Sequence, residues 1–308
     1  MIQPVRIGTR GSPLALTQAR MVAQALRAAH GWGAERIEIV PITTTGDVVQ
    51  DRPLSEVGGK GLWTKELDRA LMERRTDLSV HSMKDVETIR PDTLVIEAML
   101  ERADVSDRLI GAASIGALPL GARVGTSSPR RAAQLLARRP DLEIVPFRGN
   151  VATRLRRLEL GEAEATLLAA AGLDRLDQGG VGASLGEMLP APAQGAVGIE
   201  VAASNGRVRD LVRAIDHRPT HVCVAAERRL LEGLGGSCRS PVAALATVGG
   251  DAILLRAEIL TMDGSEQQAG EIGFAAGDDE APLALARRLL EQASPALRLL
   301  FSGQAVSS

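Results

Sequence analysis

Apolar and polar positions follow two rhythms along this chain, and the rhythms trade places repeatedly over the first two hundred residues. "VRIGT" (5–9) has the alternation of a short strand, and the Ser12-Pro13 step after it opens an apolar-periodic stretch reaching His30. Serine at the cap and proline in the first turn favour a helix start, because proline lacks an N–H that would go unpaired there. "RIEIVPIT" (36–43) reads as a strand, "TKELDRALMERR" (64–75) as a helix and "DLSVHS" (77–82) as a strand. Between them, "TGDVVQDRPLSEVGGKG" (45–61) is a long polar loop with a glycine-rich end, expected to be mobile.

A similar order follows. "ARVGTS" (122–127) is a strand, Ser128-Pro129 caps the helix "RRAAQLLARR", "LEIVPF" (142–147) is a strand and Asn150 caps "VATRLRRLEL". "EATLLAAAG" (164–172) reads as a buried strand and "GAVGIEV" (195–201) as another. Strands alternating with helices imply α/β lobes with open, mainly parallel sheets. After a helix near 207–216 the rhythm changes. Residues 247–276 alternate like an antiparallel meander with a turn at Asp263-Gly264, and a helix over about 280–301 closes the chain. The expected organisation is lobe 1 from 1–99 and 197–216, lobe 2 from 100–196, and a small α+β domain from 217–308. "ERADVSDR" (101–108) is read as the connection between lobes.

Composition narrows the function. The net charge is −2, and there are no tyrosines, three phenylalanines and two tryptophans, which disfavours nucleic acid as a partner. No apolar run approaches the ~20 residues of a membrane span. "MIQPVRIGTR" shows no secretory core, so a cytoplasmic protein is expected. Two cysteines do not make a disulfide framework. Lysine occurs only at 60, 65 and 84, so most arginines are ordinary surface charge and only those in special positions inform.

Arg130 and Arg131 are in such positions. They follow the Ser128-Pro129 cap, where two cations oppose the partial positive charge of a helix N-terminus. A bound anion would reverse that penalty. Arg10 precedes the Ser12 cap, Arg148 precedes the Asn150 cap, and Arg154 lies one turn in. All follow predicted strand ends, the edge where open α/β sheets bind ligands. Composition alone explains any one of these steps. Three together point to a cleft for a ligand with several carboxylates or phosphates.

"VHSMKD" (80–85) sets Ser82, Lys84 and Asp85 at another strand end. Asp85 among cations stays ionised and suits stabilisation of a forming cation. Lys84 could bind an anion, form a Schiff base, or be half of a surface Lys-Asp pair. His81 is expected to alternate away from Ser82 and pack structurally. Met21, Met72 and Met99 sit at core spacing. "GGVGASLG" (179–186) and "GGKG" (58–61) lack the spacing of nucleotide-binding loops. His217, His221 and Cys223 cluster without a fourth ligand, and no metal site is expected. Cys238, in "LGGSCRSP" (234–241), suits neither an apolar core nor a ligand set.

Eight segments in order resemble the porphobilinogen deaminase family: "RIGTRGSPLALTQA", "GGKGLWTKELDRAL", "HSMKDV", "VGTSSPRRAAQL", "FRGNVATRL", "AAAGLDRL", "APAQGAVGIE" and "GGSCRSP". The resemblance implies two lobes like those of periplasmic binding proteins. It also implies a monomeric transferase joining four porphobilinogen units into linear hydroxymethylbilane with release of ammonia. Cys238 would carry a dipyrromethane cofactor through a thioether, and Asp85 matches the catalytic aspartate. Lys84, Ser82, Thr126, Ser127, Ser128, Arg130, Arg131, Arg148 and Gly149 would hold the cofactor. Arg10, Ser12, Arg148, Arg154, Arg175 and Gln194 would hold the substrate. Glu87 stands where proline is usual and adds negative charge near Asp85. A two-lobed anion-binding or sensor protein without catalysis is the alternative; it explains the arginines but not Cys238.

Overall fold

A computed structural model describes residues 3–44, 63–236 and 240–302. The loop at 45–61 and Cys238 lie outside the described residues. In chain order the elements are β1 (Val5–Arg10), α1 (Pro13–His30), β2 (Ile37–Ile42), α2 (Lys65–Met72), β3 (Leu78–Ser82), β4 (Leu94–Met99), β5 (Asp107–Ile110), β6 (Arg123–Gly125), α3 (Pro129–Arg138), β7 (Glu143–Val145) and α4 (Val151–Glu159). Then come β8 (Ala165–Ala169), α5 (Ala170–Asp174), β9 (Ala183–Leu185), β10 (Val197–Ala202), α6 (Gly206–Arg213), α7 (Arg218–Gly233), β11 (Val242–Gly249), β12 (Ala252–Leu260), β13 (Gln267–Ala275), α8 (Glu280–Gln292) and α9 (Pro295–Ser302). They form two compact units, one of residues 1–103 and 195–221, the other of 104–194 and 222–308.

The first unit is built on a five-stranded sheet in the order β2-β1-β3-β10-β4. β1 pairs in parallel with β2 and β3, while β10 runs antiparallel to both its neighbours, so it alone is reversed. Helix α1 packs Ala19, Val22 and Leu26 against Ile7, Leu78 and Ile199 of the sheet. Full burial of the valine, leucine and isoleucine side chains among these contributes roughly 1.5–3 kcal/mol each. The Ser12 hydroxyl accepts the Ala15 N–H at 3.3 Å to cap α1. Gly31, with φ +64°, ends it in the left-handed conformation that glycine adopts without strain.

The second unit carries two sheets. One has five strands in the order β7-β6-β8-β5-β9, again with a single reversed strand, β5. Its core includes Leu109, Val124, Leu135, Leu167 and Leu185. The other is the antiparallel β11-β12-β13 meander, covered by α8 through Leu285 and Leu289. Gly264 lies in the turn expected at Asp263-Gly264. Its φ is +70°, and a Cβ there would come within 2.4 Å of the Ala133 carbonyl. Two mainly parallel open sheets and a small third sheet were expected, and all three are present.

Several elements differ from the sequence reading. The end of "ERADVSDR" is not connection: Asp107 and Arg108 begin the reversed strand β5. "EATLLAAAG" stops being strand at Ala169, and the next residues turn into α5. The closing helix is two helices, because Pro295 cannot continue a helix and Ser294 Oγ accepts the Leu297 N–H to start a new one. Pro219 sits in the first turn of α7, where no N–H is missed, and His217 and His221 flank it. Met72 is 53% exposed and not core, whereas Met99 is buried. Among the described residues no helix is long and apolar enough to cross a membrane.

Candidate active site

The site residues expected from the sequence divide between the two units. In the first, Arg10 ends β1, Ser12 caps α1, Ser82 ends β3, and Lys84 and Asp85 fall in the one-turn 3-10 helix Met83–Asp85 that follows. β1 and β3 are parallel neighbours, so their carboxyl ends coincide. Arg10, Ser12, Gln18, Ser82 and Asp85 accordingly line one pocket, with Trp63 and Thr64 on its wall. The Arg10 guanidinium lies 3.8 Å from the centre of the Trp63 ring, a cation–π contact. Ser82 and Gln18 exchange hydrogen bonds: the amide donates to Ser82 Oγ at 2.8 Å, and the hydroxyl faces Gln18 Oε1 at 3.0 Å. Lys84 is half-buried but does not line the pocket.

Packing fixes the turn that carries Asp85. Met83 is buried, its N–H donates to the Ala196 carbonyl at 3.1 Å, and its carbonyl accepts from Val86. The side chain lies over Gly198 of β10, where a Cβ would come within 2.1 Å of the sulfur. Gly198→Ala is therefore expected to displace Met83, destabilise the first unit by about 1–3 kcal/mol and lower turnover with it. Chemical denaturation and a steady-state assay of the same preparation check this.

Glu87 does not confront Asp85 with a free charge. Its carboxylate meets Arg90 Nη1 and the Thr64 hydroxyl, each at 2.8 Å. His81 is buried as expected, with Nε2 3.1 Å from Glu200 Oε2. Glu200 is held down to about 2: burial alone would raise it, but His81 and Arg90 outweigh burial. An ionised Glu200 only accepts, so His81 carries its proton on Nε2.

In the second unit, Arg130 and Arg131 occupy the first turn of α3 and are almost fully buried. The anion that relieves them is part of the protein. Asp107, on β5, lies 2.8 Å from Arg130 Nη1 and 2.7 Å from Arg131 Nη2. Burial would raise the Asp107 pKa, but Arg130 and then Arg131 hold it well below the usual carboxylate range. For Arg130 burial wins and its pKa is lowered, with Asp107 acting the other way. Arg131 also donates to the Leu167 carbonyl at 2.9 Å, and Arg130 to Gln134 Oε1 and the Leu189 carbonyl, both at 3.0 Å. Gln194, expected on the substrate, donates to Asp107 Oδ1 at 2.9 Å and to the Val105 carbonyl at 2.7 Å. The Nε–H groups of Arg130 and Arg131 are buried with no hydrogen-bond partner among the described residues. Two spare guanidinium donors fit the carboxylates of a pyrrole cofactor.

The remaining candidates sit in their own elements. Thr126 is buried, and its Oγ accepts the Ser128 N–H at 3.1 Å. Ser127 donates to the Phe147 carbonyl at 2.9 Å, and Ser128 Oγ caps α3 by accepting from Arg131 N–H. Gly149 has φ +98°, and a Cβ there would meet Thr153 at 2.7 Å. Its carbonyl accepts from Arg154 Nε at 3.1 Å, and Arg148 beside it is half-buried. Arg175 follows α5, and burial lowers its pKa against the pull of Asp174. His217 and His221 are engaged with Thr220 and Asp216, both at 2.8 Å. Cys223 is buried in the core of the C-terminal sheet. Asp107 is the residue the sequence reading missed. The short stretch "DRLI" alternates, but only its pairing with β8 and β9 turns Asp107 inward.

These features define a class: an α/β protein of two open-sheet units, with an arginine and an acidic turn at the strand ends of the first and a buried arginine pair at a helix start in the second. The comparisons with known proteins give the family. Residues 5–210 match the family described as "Porphobilinogen deaminase, dipyromethane cofactor binding domain", and residues 221–293 match "Porphobilinogen deaminase, C-terminal domain". The chain is 56% identical to porphobilinogen deaminase of Sphingopyxis alaskensis over 97% of each chain. It is 53% identical to that of Paracoccus denitrificans over 90% of each. A solved structure, the periplasmic VFT2 domain of Bordetella pertussis BvgS, is 15% identical with a TM-score of 0.40, covering 69% of this chain and 86% of that one. The chain belongs to the porphobilinogen deaminase family; it is a transferase, and its larger matched region is the family's dipyrromethane-binding domain.

Proposed function

We propose that Asp85 is the catalytic residue of a condensation that joins four porphobilinogen units head to tail and releases ammonia at each step. The observation that supports this is the convergence of Asp85, Arg10, Ser12 and Ser82 on one pocket at the carboxyl ends of β1 and β3. Among the described lining residues Asp85 is the one carboxylate and Arg10 the one guanidinium. An ionised carboxylate has acceptor sites only, so Asp85 takes pyrrole N–H groups and stabilises the cation that forms as ammonia departs. Arg10, with Arg148, Arg154 and Arg175, binds the acetate and propionate carboxylates of the substrate; Ser12 adds a hydroxyl.

The cofactor is held through Cys238 by a thioether. Its carboxylates take the spare donors of Arg130 and Arg131, with Thr126, Ser127, Ser128, Arg148, Gly149, Ser82 and Lys84 as further partners. When bound, the dipyrromethane supplies the free pyrrole end that accepts the first substrate. The protein acts as a cytoplasmic monomer on this small-molecule substrate.

Intact-mass measurement tests the assignment. The purified chain is expected to be heavier by one dipyrromethane, and Cys238→Ser is expected to lack that mass. A chain that is unmodified and fully active would overturn the reading.

A further inference from the structure

Five residues past Asp85, Arg90 is the centre of a buried charge cluster that the family resemblance leaves without a role. The Arg90 side chain is 10% exposed. Its Nε and Nη2 meet the two oxygens of Glu200 on β10 at 2.8 and 3.0 Å. Nη2 also meets Asp68, in the first turn of α2, at 2.6 Å. Nη1 meets Glu87 at 2.8 Å and the Thr64 hydroxyl at 3.3 Å, and that hydroxyl donates to Glu87 at 2.8 Å. Burial acts against the Arg90 charge, but Glu200 and Asp68 more than compensate and raise its pKa. A planar fork can satisfy this many acceptors in fixed directions; a lysine ammonium on a flexible stem cannot.

What the fork holds matters more than the charge it balances. Thr64 is buried and adjoins Trp63, the ring under Arg10. Glu200 pairs with His81, the residue before Ser82. One guanidinium thus ties the platform beneath Arg10 to the strand end carrying Ser82. We propose that Arg90 is a positioning residue for the substrate pocket, fixing Thr64, and through Trp63 the place of Arg10, without touching substrate itself. The proposal rests on the reading that Arg10 binds substrate carboxylates.

The test uses cofactor-loaded Arg90→Lys and Thr64→Val, with Arg10→Ala as reference, each also made in a Trp32→Phe background so that Trp63 is the sole tryptophan. Thr64→Val removes the link to Arg90 while leaving its charge, and carries the test if Arg90→Lys does not fold. Both variants are expected to raise KM for porphobilinogen by roughly tenfold, leave kcat within about threefold, and shift Trp63 emission to longer wavelength. Arg10→Ala is expected to raise KM at least as far. If Arg10→Ala raises KM while the other two change only thermal stability, Arg90 is structural and the proposal falls. If Arg10→Ala leaves KM unchanged, the pocket reading falls and takes the proposal with it.

Discussion

Asp107→Asn is expected to destabilise the second unit by about 3–5 kcal/mol, the cost of removing one partner from a buried ion pair and leaving the other charge uncompensated. Here two guanidiniums lose their counter-charge at once. Arg130 and Arg131 are 3% and 5% exposed at the side chain, so water does not reach in to replace it. The same contact predicts a pH dependence. The folded-state pKa of Asp107 is depressed, so its contribution is fully present above the unfolded value of about 3.9 and is lost as pH falls below it. Urea denaturation of the cofactor-free protein, made in a Cys238→Ser background, between pH 7 and pH 3 checks both parts. The wild type should lose stability on the acid side, and the variant should start lower and lose less. Equal stabilities at neutral pH would show that the arginines have another anion.

Asp85→Asn is expected to lower kcat by roughly 10²–10³-fold, the range seen when one preorganised electrostatic group is removed from a developing charge. Asparagine keeps the size and one acceptor oxygen, so the turn around Met83 should survive and substrate binding should change little. The loss should therefore appear in kcat and not in KM. Single-turnover measurement of ammonia release on the cofactor-loaded variant checks this. Near-normal release would remove Asp85 from the chemistry.

The Ser-Pro steps were informative because their chemistry is local: a hydroxyl and a ring nitrogen start a helix whatever surrounds them. Ser12 and Ser128 both cap as expected, and the acidic turn follows β3 at the predicted place. Long-range pairing was not legible. The inward face of Asp107 depends on β5 running against β8 and β9, and nothing in "ERADVSDR" says that a strand begins there. Glu87 looked like a charge set against Asp85 because its partner, Arg90, is fixed by packing with β10, over a hundred residues away in the chain. Met72 failed as core for a similar reason. Helical spacing gives a face, but only tertiary contacts decide whether that face is covered, and this one is not.

Strand β10 has a consequence for synthesis. It fills the fourth place in the first sheet, between β3 and β4, yet it is the tenth of the described strands in chain order. A polypeptide leaving the ribosome has made all five strands of the second sheet by Leu185, before Val197 appears. Of the two five-stranded sheets, the one that begins first is thus the one completed later. Until then β4 has no neighbour and one side of β3 stays open, an exposed template for misassociation that a nascent chain stalled before Val197 would keep.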